Sequence, residues 1–283
     1  MKERTDMKKQ ICLLLLLYCN LLAVMAQTAA DSLALVEADW QAVSLQKGIL
    51  YRKAAFSSLY GVPQEISIFE ISPKHYRMDV LIHNPKEETS IAARRSGAVA
   101  AINGSFFDMK VGNSVCYLRH DGVVVDTTAT GALSTVSNGA LFIRKGKLRL
   151  MSWNKQKEKT CKLKRGTVLA SGPLMLLDGK NCDLSACNSN FVKTKHPRSA
   201  VVLTGNKKIL LIFGDGRRKG KAEGISIPEL THMVRVLGGK DALNLDGGGS
   251  STLWSASLPD EGIANTPSGK VERKVANSLC VYE

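Results

Sequence analysis

The chain has 283 residues, 39 Lys and Arg against 25 Asp and Glu, and a formal net charge of +14. A hydrophobic content of 44% and a charged content of 23% suit a globular core and exclude a disordered tail, a collagen-like fibre and a coiled coil. Only one apolar run approaches membrane-spanning length, and it lies at the N-terminus, which excludes a multi-span membrane protein.

That first run reads as a secretory signal peptide over residues 1–26. Lys2, Arg4, Lys8 and Lys9 form a basic start, residues 11–25 are mostly apolar, and Val24-Met25-Ala26 sets small residues where a signal peptidase reads. Cleavage after Ala26 implies an exported protein (periplasmic, secreted or cell-surface) with no integral membrane span left. It removes four basic and two acidic residues and leaves +12. Such a surplus suits polyanionic partners. It reads as spread out, with modest runs over 155–164 and 217–221. Nucleic acid is not expected, because no recognition helix or aromatic-plus-basic signature occurs. Cys116, Cys161, Cys182, Cys187 and Cys280 remain, and Cys182 and Cys187 are spaced to close a small loop in an oxidising compartment. No Cys-x-x-Cys pair or His-Glu-x-x-His helix points to zinc.

In chain order, residues 31–45 suggest a short amphipathic helix, and Ile66–Ile71 and Tyr76–Ile82 alternate as strands. Thr89 is placed to cap a helix through Ala92 and Arg95, closed by Gly97. Ala98–Ile102 reads as a buried strand. Three turns then separate apolar runs and predict hairpins: Asp121-Gly122, Lys145-Gly146 and Gly205-Asn206. If Leu203 pairs with Ile209 in the last of these, Arg198 falls opposite Gly214. A helix starts after Ser226, whose spacing to Glu229 is that of a capping box, with Pro228 in the first turn and Gly238-Gly239 at the end. Ala242–Asp246 reads as a strand. Helices mixed with hairpins give an α+β class: a mixed, largely antiparallel sheet with packed helices in a single domain.

Three clusters carry chemistry. In the strand ending at Asp246, Leu243 and Leu245 face one way and Asn244 and Asp246 the other. It runs into Gly247, Gly248, Gly249, Ser250 and Ser251, where three glycines make sense if the backbone bends sharply or approaches a ligand, their N–H groups cradling an anion. A tight turn is the plain alternative. The open end of the 199–213 hairpin brings Arg198 near Asp215, with His196 and Arg217 alongside. A guanidinium there suits an anionic substrate, because its planar fork binds two phosphate oxygens; a structural Arg–Asp pair is the alternative. Asn103, Gly104 and Asp108 follow the 98–102 strand, with Phe106 and Phe107 as core or as a sugar platform. No P-loop and no Gly-x-Ser-x-Gly elbow occurs.

The segments 98–107, 196–200, 214–217, 243–252 and 273–279 stand in the order seen in phosphodiester glycosidase domains, and the chain resembles that family over residues 60–283. Residues 27–59 are then an N-terminal extension. The family's usual second Gly is Ser105 here and its usual Pro is Lys274. The resemblance implies an α-N-acetylglucosaminidase-like hydrolase whose substrate is a phosphorylated sugar or glycan, a sugar-1-phosphodiester split at the C1–O bond. On that reading Asp246 activates water or attacks the anomeric carbon, Arg198 holds the phosphate, and Asp215 is the partner acid/base or orients Arg198. Asn103, Asn244 and Asn277 hold sugar hydroxyls or backbone. No cofactor is required; Asp108, Asp215 and Asp246 are the carboxylates available to a divalent cation, though no spacing demands one. Two other classes stay open: a non-catalytic binder of anionic cell-surface polysaccharide, which basicity and export fit equally well, and a P–O-cleaving phosphodiesterase. Oligomeric state is not legible.

Overall fold

The alternating segments assemble into three antiparallel sheets. The computed structural model describes residues 29–131 and 135–283, so the expected signal peptide lies outside the described residues. The largest sheet has eight strands, in the order β1 (Gln41–Gln46), β2 (Ile49–Leu59), β3 (Val62–Ile71), β14 (Ile209–Gly214), β13 (Arg198–Thr204), β15 (Gly239–Asn244), β11 (Leu174–Leu177) and β12 (Lys180–Asn181). A five-stranded sheet runs β7 (Val123–Asp126), β6 (Leu118–His120), β10 (Thr167–Ser171), β8 (Gly139–Arg144) and β9 (Lys147–Ser152). The third sheet runs β16 (Leu253–Ser255), β5 (Ala100–Asn103), β17 (Lys274–Tyr282) and β4 (Arg77–Glu88). With the helices packed on them these form one α+β domain.

Strand periodicity decides which side chain enters which core. Ile66 and Ile68 of β3, Ala200 and Val202 of β13, and Leu210 and Ile212 of β14 join Leu230, Met233 and Val234 of the helix Ile227–Val236. The residues alternating with them (Phe69, Val201, Leu211, Phe213) face the opposite way, into a second cluster with Leu243 of β15 and with Ile102, Leu169 and Leu279 from the other sheets. The central strands are therefore buried on both faces. Each Leu or Ile so buried stabilises the fold by about 1.5–3 kcal/mol before entropy is counted.

The predicted hairpins form as expected. Leu203 pairs with Ile209 and Arg198 with Gly214. Asp121-Gly122 and Lys145-Gly146 both adopt positive φ, as a two-residue hairpin turn requires. In the 205–206 turn the left-handed residue is Lys207. Ser226 and Glu229 make the reciprocal capping box, with Pro228 in the first turn.

Several expectations are corrected. Residues 31–45 are helical only to residue 36, because β1 is drawn onto β2 as an edge strand. Residues 41–59 supply β1 and β2 to the main sheet, and residue 60 lies in the β2–β3 turn. Thr89 is the first helical residue and Glu88 the cap; the Thr89 hydroxyl lies 2.8 Å from Ser278 Oγ instead. Cys182 and Cys187 are free thiols, Cys187 packing in the first core and Cys182 against the second. Among the described residues no helix is long and apolar enough to cross a membrane.

One close approach is decisive for this frame. Gly104 lies against Asn277, and an added Cβ would collide with its Oδ1 and stand 2.9 Å from its backbone carbonyl. Backbone cannot move aside as a side chain can, so Gly104→Ala is expected to cost about 1–3 kcal/mol, read as a lower urea midpoint.

Candidate active site

The site forms where the three sheets meet at the chain turn after β15. The main chain of Asp246 is held from below: its N–H donates to the Gly104 carbonyl at 2.9 Å, and its carbonyl accepts from Asn103 Nδ2 at 2.7 Å. Asn103 Oδ1 accepts from Ser199 Oγ at 2.7 Å and from the Thr252 N–H at 3.1 Å. Asn277 Oδ1 accepts from the Ser105 N–H at 2.8 Å, and Asn244 Nδ2 donates to the carbonyls of Gly172 and Leu245. All three asparagines are completely buried. They hold backbone, the second of the two roles expected of them, and set the position of the Asp246 turn.

Asp246 is half-buried as a residue, its carboxyl packed in protein. Its Oδ1 accepts from the Gly247 N–H at 2.9 Å. Protein packed around it raises its pKa to about 6, opposed by bonds from Ser250 and Gly247 and by the charges of Arg273 and Arg198. Beneath it the buried Cys116 thiol is pushed up to about 11 by burial, so it is neutral.

Three guanidiniums lie around the turn that carries this carboxyl, two of them, Arg273 and Arg198, acting on it directly. Arg198 is only 2% exposed. It donates through Nε to the Ile225 carbonyl and through Nη2 to those of Phe191 and Thr194, at 2.7–3.1 Å, and stacks 4.6 Å from the Phe191 ring centre. Burial lowers its pKa to about 10, against the pull of Asp246, so it stays charged at neutral pH. Arg217 is exposed and lies over Gly248, where an added Cβ would stand 3.0 Å from its Nη2. Arg273 is half-buried and lies over Gly249 so closely that a Cβ there would collide with it; its Nη1 is 3.4 Å from Ser250 Oγ. Gly247 in turn packs on the Pro197 carbonyl. The glycine run thus serves close approach by two arginine heads and one strand. Its N–H groups are less available as an anion cradle than expected, since Gly247 is engaged by Asp246 and Gly248 donates to the Pro197 carbonyl at 2.8 Å.

Among the described residues none of these three arginines has a carboxylate within ion-pair distance. His196 stands beside them, half-buried, its pKa lowered by burial and by Arg198 and Arg217, so its ring is neutral at pH 7. Arg273 went unrecognised as a site residue in the sequence, where it is only the first residue of a closing motif.

Other expected site residues fall elsewhere. Asp215 is 0% exposed and does not orient Arg198. The strand pairing that sets Arg198 opposite Gly214 leaves Asp215 on the β3 side, where it accepts from the Thr266 N–H and pairs with Arg218 at 3.5 Å. Its buried Oδ2 has no hydrogen bond. Burial raises its pKa to about 7, opposed by Arg218. Asp108 closes its own turn, accepting from the N–H groups of Lys110 and Val111. Ser105 is bonded to the Ala170 carbonyl at 2.6 Å, and Ser251 is buried with its hydroxyl unbonded. Phe106 and Phe107 are core. Among the described residues no three His, Cys, Asp or Glu side chains gather as a metal set would, and Asp108, Asp215 and Asp246 are not brought together.

A desolvated carboxyl and three guanidiniums without ion-pair partners among the described residues thus share one turn locked to neighbouring strands. The family pattern of phosphodiester glycosidases matches residues 96–282, and the chain belongs to that family. The chain is 26% identical over 214 residues to the N-acetylglucosamine-1-phosphodiester alpha-N-acetylglucosaminidase of Mus musculus, covering 70% of this chain and 39% of the mouse protein. It therefore spans about two fifths of that relative's length. The same fold occurs in the zebrafish N-acetylglucosamine-1-phosphodiester alpha-N-acetylglucosaminidase catalytic domain, auto-inhibited by its pro-peptide, at a TM-score of 0.66 and 20% identity over 87% of this chain and 88% of that one. A hypothetical protein from Synechocystis shares it at a TM-score of 0.59 and 15% identity, over 86% and 63% of the two chains.

The burial of Asp215 gives a stability test. Its folded pKa, about 7, lies above the ordinary 3.8, so the folded state binds the extra proton and its advantage is full below pH 4 and lost as pH rises through 7. Asp215→Asn removes the buried charge while Arg218 keeps Glu65 at 2.7 Å. The variant is expected to gain on the order of 2 kcal/mol over the parent at pH 8 and nothing at pH 4, read as paired melting temperatures.

Proposed function

We propose that the chain is an exported hydrolase of sugar-1-phosphodiesters, cleaving the C1–O bond to release a free sugar and a phosphomonoester. One observation carries the reading: the desolvated Asp246 carboxyl shares its turn with Arg198, Arg217 and Arg273, and among the described residues none of the three guanidiniums has a carboxylate within ion-pair distance. The name of the mouse relative and the family supply the reaction class. Export rests on the character of residues 1–26.

Each group then has a task. A phosphodiester places one negative charge beside the scissile bond, and cleavage at carbon leaves a second on the departing phosphate. Arg217 and Arg273, which reach the surface of the turn, meet those oxygens. Arg198, fixed by three carbonyls, raises the potential from behind without moving. A phosphomonoester has a second pKa of about 6 and leaves with little help, so a strong general acid is less needed than in the cleavage of an alkoxide. Asp246 faces the oxocarbenium-like carbon and activates water or attacks it directly. The neutral His196 ring is free to exchange a hydrogen bond with a phosphate oxygen or a sugar hydroxyl. Asp215, sealed against Arg218, takes no part in proton transfer at the substrate.

Asp246→Asn is expected to lower kcat by about 10²–10⁴ with an unchanged fold. Because the parent carboxyl titrates near 6 and acts ionised, kcat/KM is expected to rise with pH through that value and then level. Hydrolysis of an α-N-acetylglucosamine-1-phosphodiester in heavy-oxygen water should label the sugar; label in the phosphate means P–O cleavage and overturns the reading. Arg217→Ala, a change on an exposed residue, is expected to raise KM at least tenfold without altering the melting temperature.

A further inference from the structure

The net charge of the protein is concentrated far from the active site. Between Gly139 and Gly166 the chain carries ten Lys or Arg and one acidic residue, Glu158. Read along the chain these are modest runs; in the fold, strand register gathers them. In the β8–β9 hairpin Arg144 stands directly opposite Lys147, and Phe142 opposite Arg149, all on one face of the ribbon. Like charges directly opposed destabilise a sheet. Among the described residues neither Arg144, Lys147 nor Arg149 has a carboxylate partner.

Two further segments extend the charge. Arg77 at the start of β4 and Arg165 just before β10 join Arg144 and Lys145 around a cavity of about 320 Å³, whose remaining polar walls include Asp79, Asp121, His120 and Thr167. The two carboxylates there are partly engaged: Asp121 Oδ1 accepts from the Gly166 N–H at 2.7 Å, and Asp79 Oδ1 from the Val80 N–H at 2.8 Å. Lys162 and Lys164 line an adjoining hollow that shares Arg144 and Arg165. All of these cations are exposed. Their backbone is nonetheless fixed, because the Met78 N–H donates to the Gly146 carbonyl and the Asp121 N–H to the Gly166 carbonyl, tying three turns together. The backbone of the surface is therefore preformed, and a ligand has only the side chains to order.

This face is remote from Asp246. Arg77 pairs with Tyr282 at one end of β17 and stacks on its ring, while Arg273 precedes Lys274 at the other end. At about 3.4 Å per residue the two ends of that strand are roughly 27 Å apart. The hairpin face presents no large exposed apolar side chain to enter a lipid layer. It also has no exposed aromatic ring on which bases would stack, since Phe142 is half-buried. A row of cations with these exclusions, on a protein read as acting on sugar phosphodiesters, fits a linear glycan with charged phosphodiester links.

We propose that the outer face of the β8–β9 hairpin and the adjoining Arg77–Arg165 hollow form a second binding surface, for a linear phosphodiester-bearing glycan. The inference rests on the hydrolase reading for its choice of ligand, and not for its test. The test uses the whole mature protein, a ten-repeat oligomer of α-linked N-acetylglucosamine 1-phosphate, and the triple variant Arg144→Gln, Lys147→Gln, Arg149→Gln. Binding is measured by fluorescence anisotropy in each of two salt concentrations, with Asp246→Asn present in both proteins so that the oligomer stays intact. The variant is expected to bind at least tenfold more weakly and with a shallower salt dependence. Without the Asp246 change, its kcat/KM on a monomeric methyl phosphodiester of α-N-acetylglucosamine is expected to stay within twofold of the parent. Failure of the parent to bind the oligomer, or equal binding by parent and variant, overturns the proposal. So does tighter binding of the parent to anionic phosphatidylglycerol vesicles or duplex DNA than to the oligomer, if the same three charges carry it. A parent that binds the oligomer through these charges yet cleaves neither compound keeps this surface and sinks the hydrolase reading; one that cleaves the monomer but ignores the charges does the reverse.

Discussion

The geometry of the active site depends on one buried carboxamide. Asn103 closes β5 of the smallest sheet, but its side chain bonds to the carbonyl of Asp246, the hydroxyl of Ser199 on β13 and the N–H of Thr252 beyond the glycine turn. Three segments distant in the chain thus meet on one amide. A hydrogen bond of this kind adds only about 1 kcal/mol net, but leaving its buried partners unpaired costs about 1–3 kcal/mol each. That asymmetry gives the site a definite place: a shift of the Asp246 turn would strand several polar groups at once. Asn277, bonded to Ser105, repeats the device on β17.

On this frame the electrostatics are deliberately unbalanced. Folded proteins ordinarily pair a buried guanidinium with a carboxylate. Here Arg198 is satisfied by three neutral carbonyls instead, and its charge remains available to whatever lies above. Arg217 and Arg273 approach the same turn because glycines leave them room. The raised pKa of Asp246 belongs to the same arrangement, with exclusion of water outweighing the attraction of neighbouring cations.

Much of this is legible in the order of residues alone. Alternation assigned the hairpins, and counting across the 205–208 turn put Arg198 opposite Gly214. Ser226 and Glu229 marked a helix start by spacing alone. The resemblance in five short segments pointed to the family. What could not be read was the third dimension around each group. Nothing in the order of residues tells that Asp215, one step past Gly214, turns toward β3 and Arg218, or that the carbonyls of Phe191, Thr194 and Ile225 converge on Arg198. Arg273 enters from the start of β17 with no periodic signal to announce it. The scattered lysines and arginines of 144–165 likewise form a surface only once strand register is known.

The backbone of Arg217 adopts φ +62°, a left-handed conformation that an L side chain occupies at a cost of about 1–2 kcal/mol. Glycine would sit there at ease, and a chain tuned for thermal endurance alone would carry one. The arginine is instead held in a contorted joint that aims its head across Gly248. Resilience gives way to reach at this position, and a directed search for hardier variants should drift toward glycine at 217, discarding the guanidinium over Gly248 as it does so.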